Sequence, residues 1–435
     1  MRSPFLKTDN LQFSNKKKSS TTLCTGILKE IVSHFTNGGS DLYLLCLDAS
    51  KAFDRVEYVK LFSGLLRKNM NSIYLRSLID LYTNQKLCVK WNNNLSPVFS
   101  AKNGVKQGGI LSPILFGTYM DELLAQLRLC GAGCYMGPYF CGALSYADDI
   151  CLMSPSIDGL KHMIKVCEQF SVEYNVSFNG EKSQLMKFKA SKTKKRHNDH
   201  SAFVHVNGCK VTCTDCVTHL GHKLFSDPQQ DDLQSVVNNF NKQFNIFRAK
   251  FQCVPPQVKN SLFFTYCSSL YGIQLCDLRR SSRLHVSFRK AVRSMWGLPY
   301  RTHCALLPCI TGSLCSNHMC VKRFMNFALN VLNHDFEVVK YIFNCAINCS
   351  DSVFFKNIEY CADLCDFDSN ACLKQDHVND IRKIVQFSCE KHCYSTDDIA
   401  TAIAIRDNVL VIHGQSHSVF TAAEAHNFAC YLCVT

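Results

Sequence analysis

Apolar and polar positions along this chain fall into blocks whose period switches between two and about 3.6 residues. The run DLYLLCL at 41–47 is continuously apolar with strand character and is closed by Asp48. From about Glu57, EYVKLFSGLLRKN has helical spacing, with Val59, Phe62, Leu65 and Leu66 on one stripe. LCVKWNNNLSPVF at 87–99 predicts two strands around an Asn-rich turn, and GVKQGGILS at 104–112 predicts a glycine-rich loop. Ser112 and Pro113 predict the N-cap and first turn of a helix running through ILFGTYMDELLAQL. LSYADDICLM at 144–153 predicts a tight hairpin with its acids near the tip, and 158–174 an amphipathic helix. FVHVNGCKVTC at 203–213 predicts a hairpin turning at Asn207-Gly208. From Asp231 to Trp296 the pattern is mostly helical, and it stays helical and Cys-rich after 302. There is no internal repeat.

Charge changes this picture more than composition does. The 435 residues carry a net +13, but 302–435 hold 9 Lys+Arg against 14 Asp+Glu, which leaves +18 on residues 1–301. A body that basic suits a polyanion, and nucleic acid is the usual one. The 27 Cys, an odd number scattered through apolar runs, read as buried free thiols of a reducing, intracellular compartment, cytoplasm or nucleus. The N-terminus MRSPFLKTDN is polar and does not read as a signal peptide. No apolar run approaches the ~20 residues that cross a bilayer, so no membrane partner is expected.

Candidate chemistry begins at Asp148-Asp149. No Lys or Arg occurs from Leu129 to Leu160, so the adjacent acids have no local counter-charge. They are solvated, or protonated, or held by a cation, and a hard cation such as Mg²⁺ suits oxygen ligands of this kind. An Asp-Asp turn alone is most often a solvated turn. LCLDASKAFDRV supplies a third acid: Asp48 ends an apolar strand, from which a side chain is delivered to the sheet edge. Such a set suits two divalent ions ~3.5–4 Å apart, which assist phosphoryl transfer.

LDASKAFDRV, GVKQGGILSPILF and YADD, in this order, resemble motifs A, B and C of reverse transcriptases. The wording of SKAFD and QGGILSPILF is most similar to non-LTR (LINE-type) retrotransposons. FNGEKSQLM resembles motif D, VTHLGHKL the primer grip, and LQFSNKKKSSTT a fingers motif, so the resemblance covers about Leu11–Leu224 and extends loosely to Arg301. It implies an α/β right-hand polymerase. Residues 1–225 would form partial fingers and a palm of antiparallel sheet with flanking helices, 226–301 a basic helical thumb, and 302–435 a helical C-terminal extension. Because the family's upstream fingers region and endonuclease are missing, the chain reads as N-terminally truncated.

The resemblance implies site residues one by one. Asp48 and Asp148 would bind metal with Asp149 as the auxiliary acid and the Ala49 carbonyl as a further ligand; Mn²⁺ could replace the two Mg²⁺. Tyr146 would lie near the primer end. Phe53, beside Ala52, matches the steric gate that rejects a 2′-hydroxyl. Gln107 and Gly108 match the loop against the incoming nucleotide, and Lys16 and Lys17 would contact its triphosphate. Lys182 matches a general acid for pyrophosphate, and His219, Leu220 and Gly221 the primer grip. Implied partners are an RNA template, including the retroelement's own RNA, a DNA primer and dNTPs.

Two other functions stay open: a remnant that binds nucleic acid without catalysis, and an RNA-copying RNA polymerase, which Phe53 disfavours. Cys209, Cys213, Cys216, His219 and His222 have zinc-like spacing, but Cys209 follows a hairpin turn and alternate strand residues face opposite ways. Cys361/Cys365, Cys389/Cys393 and Cys430/Cys433, with His392 and His426, lack a full zinc-knuckle spacing. The basic run Lys182–Arg196 reads as a solvated loop that could also meet phosphate. Phe244, Phe247, Phe251 and Tyr266, at helical spacing, read as core.

Overall fold

The computed structural model describes residues 8–190, 202–227, 230–366 and 383. The 191–196 part of the basic run and the cysteines beyond Cys365 lie outside the described residues. The chain divides into two compact units, Met1–Gln230 with Asp335–Cys345, and Asp231–His334 with Ala346–Thr435.

The first unit opens with helix α1 (Thr21–Asn37), which Ser20 caps by accepting the Leu23 N–H. The sequence reading had no element there; most of the helix is buried, and its unburied side is the narrow stripe Lys29, Ser33 and Asn37 with His34 beside it. Strand β1 (Leu42–Ser50) follows. Helices α2 (Tyr58–Arg67) and α3 (Ser72–Thr83) lead to a nested hairpin, β2 (Lys86–Leu87) with β5 (Phe99–Ser100) enclosing β3 (Lys90–Trp91) with β4 (Asn94–Leu95). Then come α4 (Ser112–Leu129), the short hairpin β6 (Tyr135–Met136) and β7 (Tyr139–Phe140), β8 (Ala143–Tyr146), β9 (Asp149–Ser154), α5 (Ile157–Glu173) and β10 (Ser177–Phe188). Two hairpins close the unit: β11 (Phe203–Val206) with β12 (Cys209–Thr212), and β13 (Cys216–His219) with β14 (His222–Phe225).

The central sheet has the order β10-β1-β9-β8 and is antiparallel throughout. Its middle strand β1 is covered on both faces, which is why 41–47 reads as a continuous apolar run. Leu42, Leu44 and Leu45 are all fully buried. Helix α5 packs on β9, β1 and β10, and α1 on β8 and β1. The outer edge of β8 is occupied by residues 11–13: Phe13 N–H donates to the Ser145 carbonyl (2.8 Å) and Ser145 N–H to the Leu11 carbonyl (2.8 Å). LQFS is therefore a sheet-edge element here.

Two local expectations are corrected. The buried stripe of α2 is Tyr58, Leu61 and Leu65, whereas Val59 and Leu66 are largely exposed. Tyr58 packs on Tyr82 of α3, which rotates the buried face by about one position. Ser112 is the first helical residue of α4 rather than its cap, and its hydroxyl donates back to the Lys106 carbonyl inside the glycine-rich loop.

The second unit contains α6 (Leu233–Lys250), α7 (Pro256–Tyr266), α8 (Ser282–Trp296), α9 (Leu306–Thr311), α10 (Ser316–Leu332) and α12 (Val353–Cys365); the intervening α11 (Glu337–Ile347) falls mostly in the first unit. Phe240, Phe263 and Phe288 form the aromatic centre of α6, α7 and α8, and Phe244, Phe247 and Phe251 extend it. Asn357, fully buried, accepts from Leu278 N–H (2.9 Å) and donates to the Cys276 carbonyl (2.8 Å), tying α12 to the segment before α8. Among the described residues no helix is long and apolar enough to cross a membrane.

Candidate active site

The site is assembled at one end of the central sheet. Asp48, near the end of β1, stands directly opposite Asp149, the first residue of β9. Directly opposed residues in an antiparallel ladder project from the same face. One step further into the ladder the same face carries Cys46 and Cys151, whose sulfurs lie 3.3 Å apart. Asp148 sits in the two-residue turn between Tyr146 and Asp149, which pair as the last rung of β8–β9. The first turn residue, Ala147, has φ 57°. Positive φ at the first central position alone marks a type II′ hairpin turn, the kind that matches the twist of the flanking strands.

Asp149 feels the other two acids. Asp149 is pushed up to about 6, first by desolvation, then by the charges of Asp148 and Asp48. Its side chain still reaches solvent, which screens part of that penalty. No basic group is among the causes. The Cys24 thiol of α1, fully buried, is raised by burial and then by the Asp149 charge.

Beside Asp48 the β1–β10 register breaks: Cys46 pairs with Gln184, but Asp48 pairs with Asn179. The intervening residues bulge outward and carry Lys182, which is exposed. Asn179 Oδ1 holds the bulge by accepting the Glu181 N–H (3.0 Å) and Lys182 N–H (3.3 Å). Ser183 donates to the Asn179 carbonyl (2.7 Å) and accepts from Asp48 N–H (3.5 Å). Bulges of this sort re-aim side chains next to active sites.

Past Ala49 and Ser50 the chain makes a 3₁₀ turn, Ala52–Arg55. Ala52 is buried, and half-buried Phe53 stacks on Phe116 of α4 at 4.5 Å between centroids. The glycine-rich loop is tied to this turn: Val105 N–H donates to the Phe53 carbonyl (2.9 Å), Gly104 N–H to that of Val56 (2.8 Å), and Gln107 Nε2 to Asp54 Oδ1 (3.1 Å). Gly108, at φ +79°, is exposed with open space where a Cβ would go. The structure thus brings Ala52, Phe53, Gln107 and Gly108 onto one linked pair of turns.

The remaining predicted residues lie elsewhere in the same unit. Lys16 turns inward, donating to the carbonyls of Thr8 (3.1 Å) and Asp9, with its ammonium 4.6 Å from the Phe336 ring centroid. Burial lowers it to about 8 against the opposing pull of Asp121 and Asp9. Lys17 is exposed. Leu220 and Gly221 form the β13–β14 turn, both with positive φ, and His219 lies buried beneath it with Nδ1 3.1 Å from Thr25 Oγ1 of α1. Burial, then His222, lowers His219 to about 4, so it is neutral at physiological pH.

Among the described residues no three or more His, Cys, Asp or Glu are gathered into a group that could hold a metal ion by themselves. That does not conflict with a hard cation at Asp48, Asp148 and Asp149. Mg²⁺ characteristically takes one or two protein carboxylates and completes its shell with water and substrate phosphates. Three carboxylates gathered at one sheet end, two of them raising the proton affinity of Asp149 and no basic group among the causes of that shift, fit that donor set.

Sequence reasoning missed Ser183, which braces the bulge, and gave Ser112 a capping role where it braces the glycine-rich loop. Their acceptors, the carbonyls of Lys106 and Asn179, lie only six and four residues back, and it is the loop and bulge conformation that brings them within reach.

A family profile described as reverse transcriptase (RNA-dependent DNA polymerase) matches residues 6–224. The Pol polyprotein of retrotransposable element R2 from Nasonia vitripennis is 31% identical over 137 residues, covering 32% of this chain and 13% of that protein. That of R2DM from Drosophila melanogaster is 27% identical over 161 residues, covering 37% of this chain and 15% of its own length. The chain therefore spans only a small part of these relatives. A solved telomerase from Candida tropicalis, in complex with a fragment of telomeric RNA, aligns with 90% of this chain and 52% of its own at 13% identity. Its TM-score is 0.40, too loose a likeness to carry an argument. The profile spans half of the sequence and takes in all three aspartates, and on that footing the chain belongs to the reverse transcriptase family, alongside the enzymes of non-LTR, LINE-type retrotransposons.

Proposed function

We propose that the chain copies RNA into DNA, adding deoxynucleotides to a primer 3′-hydroxyl. The observation that carries this reading is the opposition of Asp48 and Asp149 across the β1–β9 ladder, with Asp148 in the adjoining turn. Asp48, Asp148 and Asp149, with the Ala49 carbonyl, would hold divalent cations. Such ions supply activation of the primer hydroxyl and charge neutralisation at the leaving pyrophosphate. The protein's own work is positioning and electrostatics. The Phe53 ring, braced on Phe116, closes the sugar side of the pocket. Gln107 and Gly108 present backbone and amide to the incoming nucleotide, with glycine allowing close approach. Lys182, carried on the bulge beside Asp48, delivers a proton to the pyrophosphate oxygen. The turn at Leu220-Gly221 meets the primer strand.

In this reading the sheet unit is the palm with fingers elements, and the basic helices α6–α8 are the thumb, which grips the primer–template duplex through phosphates. Lys242, Arg248, Lys250, Arg283 and Lys290 are exposed on these helices, while their aromatic residues are spent mainly on the core. Arg279 is less available, because it forms a bidentate pair with Asp277 (2.9 and 2.8 Å). Binding through phosphates predicts an affinity that falls steeply with salt and shows little sequence preference.

Primer extension on an RNA template, with Asp148→Ala as control, tests the proposal. Extension by the parent chain and none by the variant, at equal duplex affinity, supports it. No extension under any divalent cation, with duplex binding retained, would leave a nucleic-acid-binding remnant.

A further inference from the structure

We infer that Gln12 is a positioning residue that sets the turn carrying Asp148, so that the LQFS segment acts on the catalytic hairpin itself. The inference rests on the polymerase reading above for its kinetic part and on geometry alone for the rest. Gln12 is fully buried, and its segment bridges to β8 in parallel through Ser145. Its Oε1 accepts the Ala147 N–H (3.1 Å), the Ser14 N–H (3.1 Å) and the Ser14 hydroxyl (3.0 Å). Two backbone N–H groups can only donate, so they fix which end of the amide faces the turn. The other end, Nε2, donates to Ser145 Oγ (3.0 Å), and that hydroxyl donates to the Ala147 carbonyl (3.2 Å).

Both peptide groups flanking Ala147 are therefore held, one directly by Gln12 and one through Ser145. Those two planes determine where the Asp148 Cα points. Ala147 needs this support, since a left-handed φ is unfavourable for any residue with a Cβ. The brace is itself anchored. Asp9 receives both hydrogen bonds of the Arg128 guanidinium (2.8 Å each) and gives its N–H to Asp121 Oδ1 (2.9 Å), both on α4. Gly117 of α4 leaves room for the segment, because a Cβ there would lie 3.3 Å from Thr8 Cγ2 and 3.7 Å from Gln12 Cγ. A run that reads from sequence as a nucleotide-clamping element thus also controls the geometry of the acids.

The test uses the full chain with Gln12→Met, which keeps side-chain volume but cannot accept from Ala147, and the double variant Gln12→Met/Ala147→Gly. Glycine is at home at this turn position, so it makes the turn independent of the brace. Gln12→Met should speed hydrogen exchange at the Ala147 amide at least about tenfold, as expected for a buried bond lost. It should lower kcat on the order of a hundredfold, the loss that a ~1 Å misplacement brings. Duplex Kd and dNTP KM should hold within about twofold, because neither the helices nor the nucleotide pocket is touched. The double variant should regain most of the lost kcat. A merely structural role would lower Tm and the active fraction, measured by burst amplitude, while leaving kcat per active site intact. Unchanged exchange at Ala147, or faster exchange with unchanged kcat, overturns the inference. A parent chain that never extends a primer defeats the polymerase reading instead, and the exchange arm still decides whether Gln12 holds the turn.

Discussion

Asp48 and Asp149 face each other across the β1–β9 ladder as like charges, with Asp148 adding a third in the adjoining turn. Directly opposed like charges destabilise a sheet, so the arrangement works against the fold. Its consequence is legible in Asp149, raised from 3.8 to about 6 by desolvation and then by its two neighbours. The folded state thus keeps this proton where the unfolded chain has released it. The group's contribution to stability therefore falls as pH climbs from about 4 to about 6, and is smallest above that. Asp148→Asn should lower the Asp149 pKa toward the ordinary carboxylate range, read by carboxyl NMR titration. An unmoved pKa would mean that desolvation and Asp48 set it without Asp148. In the parent chain Mn²⁺ affinity should rise with pH up to about 6 and then level, because the cation competes with that proton.

Sugar selection should follow Phe53. Phe53→Val removes the ring stacked on Phe116 and opens the pocket beside Ala52. Ribonucleotide use should rise relative to deoxynucleotide use by about 1–3 kcal/mol of lost discrimination, the usual worth of bulk in a pocket. Comparing kcat/KM for the two sugars checks it; an unchanged ratio removes Phe53 from the gate role.

The linked turns that carry Phe53 and Gln107 depend on Gly104. It has φ +91°, and a Cβ would lie 2.9 Å from the Asp54 carbonyl oxygen and 3.1 Å from its Cα. Gly104→Ala should therefore destabilise the sheet unit by about 1–3 kcal/mol, through backbone strain and this clash. It should also raise dNTP KM, since the loop is stitched to the Phe53 turn through Val105 and Gln107. Denaturant unfolding and steady-state kinetics read the two effects, and a stable variant with unchanged KM would refute the coupling.

Much of the layout of this candidate site is legible in the sequence. Asp48 was marked by the apolar strand it ends, and Asp148-Asp149 by a hairpin without basic neighbours. The Asn207-Gly208 and nested-hairpin turns also followed from local chemistry, because turn residues act over two or three positions. What the pattern could not give was long-range. The α2 stripe was misjudged because packing on α3 and α4, which the local pattern does not contain, chooses the buried face. Helix α1 was missed because its unburied side is only the narrow stripe Lys29, Ser33 and Asn37 with His34, flanked by Thr, Cys and Gly that do not favour a helical reading. Gln12 looked like part of a polar, basic stretch, since nothing between it and Ala147 hints that 135 residues of chain bring them together.

Acid stability should report on His219. Burial, followed by His222, lowers its folded pKa to about 4, and its Nδ1 meets Thr25 Oγ1 at 3.1 Å inside the core. The unfolded chain takes up a proton near 6.5, while the folded state resists it until about 4. The stabilisation from keeping His219 neutral is therefore complete above 6.5 and is lost as pH falls from 6.5 toward 4. At 1.36 kcal/mol per pKa unit, the loss is roughly 2 kcal/mol by pH 5 and roughly 3 kcal/mol by pH 4. His285 in the second unit, lowered to about 4 by burial, adds a similar slope, so the comparison must be made between variants. His219→Gln keeps a side chain that can hydrogen-bond Thr25 but cannot titrate. Its urea-unfolding free energy should be lower than the parent's at pH 7.5, and the gap should close by roughly 2 kcal/mol at pH 5. Parallel pH profiles for parent and variant would mean that His219 takes up its proton without unfolding the core, and that its contact with α1 does not depend on the neutral ring.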